Sequence, residues 1–494
     1  VDGSTRRHLD AAKIVPHFLL PTGRMVKASY YVVPGGQATS LIVKLDPQTQ
    51  LWSKESKDVL DQELRNISSD ALCAALGVGC ALPPACIPAL LLVADGLEAQ
   101  SRRPASVPLS GQDGEGPHDL VVLFAAFLPL QILLGAPAWI FLVAAVALLA
   151  AHYFYAALAK LAIGRGPWVW PAKNRLDFLL RTTWHHGWLG FLGEERVLRL
   201  SRVARALSVP MQVLTIVIEL GAVLMLADPG VAIVLLAGTI AMHIGILLGS
   251  GICFWRWVLT NAALIGAVLL LPPEVSARAF GFGPLLMTAG VLVAAPRINA
   301  CWPGLGWLDA PFTSVYRLEG EGADGVAREI ARGDMGPYEL AFGQGRFGFV
   351  DPRPSLVGTC GTIRGTGAAP ERLFDELLAS AGDPATIEAV RERHGVARLD
   401  PPAAQAFDAF LRAYFAHTNE HGRTRRPGFG LRAPIHFWFA RPRERYMFDQ
   451  PLVAVRVCCR EVYHDEKEIV VSDRVVRRVE LVEQRSGARV RAVA

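Results

Sequence analysis

Between Leu120 and Pro296, long apolar runs alternate with short turn-forming breaks, while the pattern on either side is mixed. A helical run needs about 20 residues to cross hydrocarbon, with roughly 17 to 25 as the working range. The clearest runs are Ala136–Ala159, Met211–Ala227, Val231–Phe254 and Trp257–Leu271, with Leu120–Gly135 and Phe282–Ala295 as shorter candidates. Leu72–Ala94 is interrupted by Pro83, Pro84 and Pro88. Proline removes a backbone donor and kinks a helix, so this segment reads as kinked, re-entrant or outside the membrane. The pattern predicts six or seven spans, all helical, because lipid offers no partner to an unpaired peptide group. Gly135-Ala136-Pro137, Asp228-Pro229-Gly230 and Pro272-Pro273-Glu274 separate neighbouring runs. Such short breaks imply antiparallel hairpins in one bundle.

A different pattern fills the connection 161–209. In "EERVLRLSRVARALS" (Glu194–Ser208), Leu200, Val203, Ala204 and Leu207 share one helical face, with Arg199, Arg202 and Arg205 largely opposite. That predicts an amphipathic helix lying in the headgroup plane, or an ordinary solvent-facing helix. From Lys160 to Val209 there are nine Lys/Arg and three Asp/Glu. This excess places the connection in the cytoplasm.

The region 297–494 reads as a soluble α+β domain. Helices are predicted at Pro370–Ala381, Pro384–His394 and Pro402–Thr418, the last with Phe407, Phe410, Leu411 and Phe415 on one face. Strand signals follow at Ile435–Ala440, Leu452–Tyr463 and Glu468–Glu483, where apolar and polar residues alternate. At the front, 1–118 is the least legible region. "ASYYVV" and "TSLIVKLD" look like strands, "SKDVLDQELRN" like a helix, and 101–119 like a linker.

Composition agrees with this division. Of 494 residues, 52% are hydrophobic and only 19% charged, against about 25% charged in a typical soluble domain. The net charge of +5 is modest, and no basic tract with interleaved aromatics suggests nucleic acid. Eight cysteines (Cys73, Cys80, Cys86, Cys253, Cys301, Cys360, Cys458 and Cys459) form no pair of CxxC motifs, so neither a zinc site nor a disulfide framework is expected. The chain begins at Val1 with no basic start followed by an apolar run, so insertion is expected to rest on the internal segments.

Three ionisable groups lie in or beside the apolar runs. Lys160 follows a stretch, Leu120–Ala159, without any Asp, Glu, Lys or Arg; Glu219 and His243 sit near the middles of theirs. An ionised carboxylate at that depth costs at least a few kcal/mol, so Glu219 must be protonated, paired or turned to a polar cavity. His243, on the next helix of the expected hairpin, is the predicted partner. Lys160 is either an anchor whose ammonium reaches the interface or a working group. The Glu219–His243 pair is either structural or part of a site.

Two further motifs carry less. "HTNEH" (His417–His421) has the H-x-x-E-H spacing of inverted zinc proteases, but Gly422 suggests that the helix stops there and no downstream Glu is marked as a further ligand. No metal is expected. In "TTWHHGWLGFL", His185 and His186 among aromatics read as an interfacial belt rather than a metal site.

The sequence resembles the horizontally transferred transmembrane domain family, relatives of the vitamin K-dependent gamma-carboxylase. The similar pieces are "YFYAALAKL" followed by Trp168 and Trp170, "ELGAVLML", "MHIGILLGSGICFWRWVL", "LGWLDAPFTSVYRL" and "MGPYELAFGQGRFGFVDP". They extend over roughly Leu120 to Pro352. The chain departs from the family pattern at Ala157, where glycine is favoured, and its first 118 residues have no counterpart. In the carboxylase, a lysine in the segment similar to Tyr153–Lys160 deprotonates reduced vitamin K. The oxidised intermediate then takes a proton from a glutamate side chain, and the carbanion captures carbon dioxide. The resemblance implies Lys160 as the base, His243 and Glu219 lining the same interior, and a reduced quinone as co-substrate. It also implies a soluble domain away from the cytoplasm, whereas the charge pattern places that domain inside.

Two functional readings follow. One is a carboxylase-like integral membrane enzyme, in a bacterial plasma membrane, acting on a lipid quinone or other apolar molecule through Lys160, His243 and Glu219. The other is a non-enzymatic membrane protein that binds a lipid, peptide or protein partner.

Overall fold

The computed structural model describes residues 17–19, 25–32, 39–44, 123, 127, 131, 135–252, 254–295, 306–330, 347–358, 361–421 and 446–481. At the front, β1 (His17–Leu19), β2 (Met25–Val32) and β3 (Thr39–Lys44) form an antiparallel sheet in chain order, at the two strand signals there. The predicted span at 72–94, the linker 101–119 and the strand at 435–440 lie outside the described residues.

The axis of the bundle is α1 (Ala138–Leu161). Phe141, Leu142, Val143, Ala145, Val146 and Ala147 are buried almost without interruption, as are Leu148 to Ala151, so nearly its whole circumference is covered. After the short helices α2 (Val169–Lys173) and α3 (Leu176–His185) comes α4 (Glu194–Gly221), continued by a 3-10 turn at Ala222–Leu224. Next, α5 (Pro229–Ser250) starts where the sequence says it must. The Asp228 carboxylate accepts from the backbone N–H groups of Gly230 at 2.7 Å and Val231 at 3.2 Å, and Pro229 fills the first helical position, where its missing donor costs nothing. The helix stops at Gly251, whose φ of 73° is the left-handed conformation that glycine adopts freely. Then follow α6 (Trp255–Leu269), α7 (Pro273–Ala279) and α8 (Phe282–Ala294).

Among the described residues, α1, α4 with its 3-10 continuation, and α5 are each long and apolar enough to cross a membrane. Together, α7 and α8 pass the same test as a pair bent by 42°, and α6 contributes a shorter apolar helix. This gives three spanning helices, or four with the bent pair, against the six or seven predicted. The run Leu120–Gly135 is described only at the helical positions Leu123, Phe127 and Gln131.

The largest correction concerns α4. The predicted in-plane helix Glu194–Ser208 and the predicted span Met211–Ala227 begin as one continuous helix that includes Pro210. Its buried side is the polar one, carrying Ser201, Ser208, Gln212 and Glu219; Leu200, Val203, Leu207, Met211 and Leu214 face out. In α5, likewise, Thr239, His243 and Ser250 are buried while Val234 and Leu248 face out. Hydrocarbon competes with protein for apolar surface but not for hydrogen bonds, so polar side chains turn inward and leucines are left to the lipid. The apolar stripe is the one the sequence indicates, but the helix bearing it runs on into the span instead of forming a separate element.

The C-terminal α+β domain is built on an antiparallel sheet in the order β6 (Ala327–Glu329), β5 (Phe312–Gly322), β8 (Leu452–His464), β9 (Glu468–Glu480). A second, two-stranded sheet pairs β4 (Trp307–Asp309) with β7 (Thr362–Arg364). The predicted helices are present as α9 (Ala368–Ala379), α10 (Pro384–His394) and α11 (Pro401–His421). Phe407, Phe410, Leu411 and Phe415 of α11 are buried with Val455 and Val457 of β8, as their spacing requires.

This domain sits on the Lys160 end of α1. Gly164 N–H donates to the Gly367 carbonyl at 2.7 Å and Gly367 N–H to the Ala162 carbonyl at 2.8 Å. Lys173 binds Glu371 at 2.9 Å and Asp375 at 2.6 Å. A shared core joins Ala157, Trp170, Phe178 and Ile216 to Leu308, Phe312 and Phe374. The connection 161–209 and the C-terminal domain therefore lie on the same side of the bundle, as the spacing of the runs predicted. At the junction, a Cβ on Gly306 would fall 2.5 Å from the Ala159 carbonyl oxygen.

Candidate functional site

Side chains on a helix lean toward its N-terminus, so Lys160, in the last turn of α1, reaches back into the bundle. Its Nζ donates to both carboxylate oxygens of Glu219, at 2.6 Å and 2.7 Å. The two side chains are 6% and 5% exposed, which rules out the interfacial anchor for Lys160. Above the ammonium lies the Trp170 ring, with its centroid 5.5 Å away. That ring is fixed by Nε1–H donating to the Trp307 carbonyl at 2.7 Å. A strand of the C-terminal domain thus positions the roof over a lysine buried at the end of the bundle.

His243 is not the partner of Glu219, contrary to the prediction. The hairpin of α4 and α5 does form, but the polar faces of both helices turn toward α1, and each group finds its partner there. A carboxylate in low dielectric gains far more from an ammonium than from a neutral imidazole. Nε2 of His243 instead meets the Tyr153 hydroxyl at 3.0 Å. Asn261 of α6 donates through Nδ2 to the Tyr153 oxygen and to Thr239 Oγ1, both at 2.9 Å. With the phenol oxygen accepting from Asn261, its own proton is directed at Nε2, which leaves the imidazole proton on Nδ1. Neither His243 Nδ1 nor Asn261 Oδ1 has a hydrogen-bond partner among the described residues. Around the imidazole stand Phe254, Tyr153 and Trp257, with ring centroids 5.0, 5.9 and 6.0 Å away.

Two polar groups of one dry interior result. One is an ion pair in which a single proton can reside on nitrogen or on oxygen without changing net charge. The other is a hydrogen-bonded chain that leaves a donor and an acceptor free. Tyr153, Asn261 and Thr239 went unnoticed in the sequence because uncharged polar residues hardly alter a hydropathy profile. Their signal is positional: Thr239 and His243 are four apart, on one face of α5.

Beyond Trp170, at the seam with the C-terminal domain, lies a second polar layer that the sequence did not reveal. The Asn174 side chain accepts from Asp309 N–H at 2.7 Å, and Gln212 donates to the Asn174 carbonyl at 3.2 Å. The Asp309 carboxyl is 2% exposed, and neither of its oxygens has a partner among the described residues. Burial pushes its pKa up to about 7. His464, fully buried, bonds Thr182 Oγ1 through Nε2 at 2.9 Å. Burial, with His185 and Arg181 close by, holds it well below the usual histidine range. His185 and His186, expected among headgroups, instead face the sheet: His186 Nε2 meets Thr313 at 3.3 Å and His185 lies 3.7 Å from Glu468. Trp188 and Phe191 of the same motif keep contact with the span side, Trp188 bonding the Leu248 carbonyl and Phe191 being 74% exposed. The H-x-x-E-H spacing lies on α11, and the residues that follow His421 are outside the described ones. Among the described residues no cluster of three or more His, Cys, Asp or Glu is arranged for a metal ion.

No family model matches this chain, and neither a curated protein nor a solved structure matches it; the residues themselves carry the functional reading.

Proposed function

We propose that this protein is an integral membrane enzyme of gamma-carboxylase-like type, resident in a bacterial plasma membrane. In this reading α1, α4, α5, α6 and the bent α7–α8 pair each cross the bilayer, and the charge pattern keeps the C-terminal domain in the cytoplasm. The substrate is an apolar molecule with an acidic hydroxyl, such as a reduced lipid quinone. One observation carries the proposal: Tyr153, Lys160, Glu219, His243 and Asn261, from four helices, converge inside the bundle and leave a buried donor and acceptor unused.

With the shared proton on Glu219, Lys160 presents a neutral amine, and the quinol O–H bond breaks as the N–H bond forms. Glu219, neutral while it keeps that proton, leaves the new ammonium to pair with the quinolate oxygen, and Trp170 excludes water from above. His243 and Asn261 offer hydrogen bonds to the oxygen-bearing end of the substrate.

The non-enzymatic reading retains one specific argument, that Lys160 occupies both oxygens of Glu219 and so completes a structural pair. The two readings separate in one experiment. Lys160→Ala alone strands a buried carboxylate, at a cost of about 3–5 kcal/mol. The double variant Lys160→Met/Glu219→Gln removes the charge and keeps the volume. Purified protein in air-saturated nanodiscs is supplied with a short-chain reduced naphthoquinone. Its oxidation by dissolved dioxygen, which takes the two electrons once Lys160 has removed the proton, is followed by absorbance above the protein-free rate. The expected result is turnover by the wild type and a loss of about 10²-fold or more in the folded double variant, the usual scale for a general base. Undiminished oxidation by that variant ends the assignment of Lys160.

A further inference from the structure

The outer face of α4 carries one unbroken apolar stripe. Leu200, Val203, Leu207, Met211 and Leu214 recur at three- and four-residue spacing and are between 41% and 58% exposed. From Leu200 to Leu224, also exposed, the helix runs about 36 Å at 1.5 Å per residue, longer than the roughly 30 Å of a hydrocarbon core. The first turns of the stripe therefore stand among lipid headgroups. Trp168 and Phe191, 69% and 74% exposed at the same end, are the amphipathic and apolar rings that settle at this level.

Arginines occupy this height. Arg196 lies four residues before Leu200, on the same lipid-facing stripe; Arg199 stands about a quarter-turn to one side of that stripe and Arg202 further round on the same side. All three are exposed, and none has an acidic partner among the described residues. Arg205 behaves differently, turning to Asp465 and Glu466 of the C-terminal domain at 3.7 Å each. Glu194 and Glu195 occupy the first turn, where they complement the helix dipole; they directly precede Arg196 but form no salt bridge with it among the described residues.

We propose that this end of α4 is a binding surface for anionic phospholipid. The guanidinium groups of Arg196 and Arg199 take the phosphate through paired N–H donors, Arg202 adds positive charge at the same end from further round the helix, and Leu200 and Val203 hold the first acyl carbons. The charge has no protein counterpart, and the apolar stripe beneath it leads continuously into the bilayer; a headgroup with attached tails matches both. This inference requires α4 to cross the membrane but is independent of any reaction at Lys160.

The test is competition. Full-length protein is equilibrated with mixed micelles holding equal phosphatidylglycerol and phosphatidylcholine, and retained lipid is counted by native mass spectrometry. Phosphatidylglycerol should dominate on the wild type, with a loss of about fivefold in preference per arginine removed. Arg196→Gln/Arg199→Gln/Arg202→Gln should thus bind both lipids alike, the corresponding lysine variant should keep most of the preference, and Arg199→Gln alone should give a graded loss. Equal retention of the two lipids by the wild type overturns the proposal without recourse to any variant. So does an unchanged preference in the glutamine variant, and so does displacement by millimolar inorganic phosphate, which would mark a free-anion site.

Discussion

The membrane bundle and the C-terminal domain obey opposite rules within one chain. In α4 and α5 the buried side chains include Ser201, Ser208, Gln212, Glu219, Thr239 and His243 beside a few apolar ones such as Ile216 and Leu236, while Leu200, Leu207, Leu214 and Leu248 face out. In the C-terminal domain Phe407, Phe410, Leu411 and Phe415 are buried, while Arg477 and Arg478 of β9 engage Asp408 and Glu321 and keep part of their side chains in solvent. Water drives the second arrangement, because removing apolar area from it is favourable. Lipid removes that drive and leaves hydrogen bonding and ion pairing to choose what turns inward. Position in the fold therefore says little about a residue's worth until the solvent on the other side is known.

The same substitution placed in each region tests this contrast. Leu411→Ala, in the core of the domain, should cost about 2–5 kcal/mol through lost contact and the cavity left behind, read as a lowered midpoint in denaturant or heat. Asp309→Asn should act in the opposite direction. A folded-state pKa of about 7 lies above the unfolded value near 3.9, so between those limits the folded protein holds a proton that the unfolded chain has released. Stability falls as pH rises through that window, and removing the carboxyl should restore a few kcal/mol at pH 7. The gain should vanish below about pH 4, so melting curves of both proteins across pH 4–8 should converge at the acidic end. The smallest effect is reserved for Leu214→Ala, 48% exposed on α4, which should stay within about 0.5 kcal/mol. A loss at Leu214 as large as that at Leu411 would show that the stripe is covered by protein and would erase the contrast.

Much of this architecture was legible in advance. Apolar length located α1 and α5 to within a few residues, and the caps at Asp228 and Gly251 fixed the ends of α5. Alternation gave β8 and β9, and aromatic spacing gave the buried face of α11. Failures share a cause. The amphipathic Glu194–Ser208 was assumed to need an interface, when a membrane helix can bury its polar stripe and carry on through Pro210. The hairpin placed His243 beside Glu219, but facing depends on which helix occupies the centre, and α1 lies 59 residues earlier along the chain at Lys160. Asp309 and His464 belong to segments with ordinary surface composition, and only the folded seam reveals that both are sealed from water.

Gly306 carries a lesson in tolerance. One added methyl there would collide with the end of the central helix and lever the first strand of the domain away from it. The Trp307 carbonyl would move with that strand, the indole of Trp170 would lose its tether, and the lid over the buried ammonium would tilt open. A change of a single carbon in the aqueous half of the protein would thus admit water to the oily half.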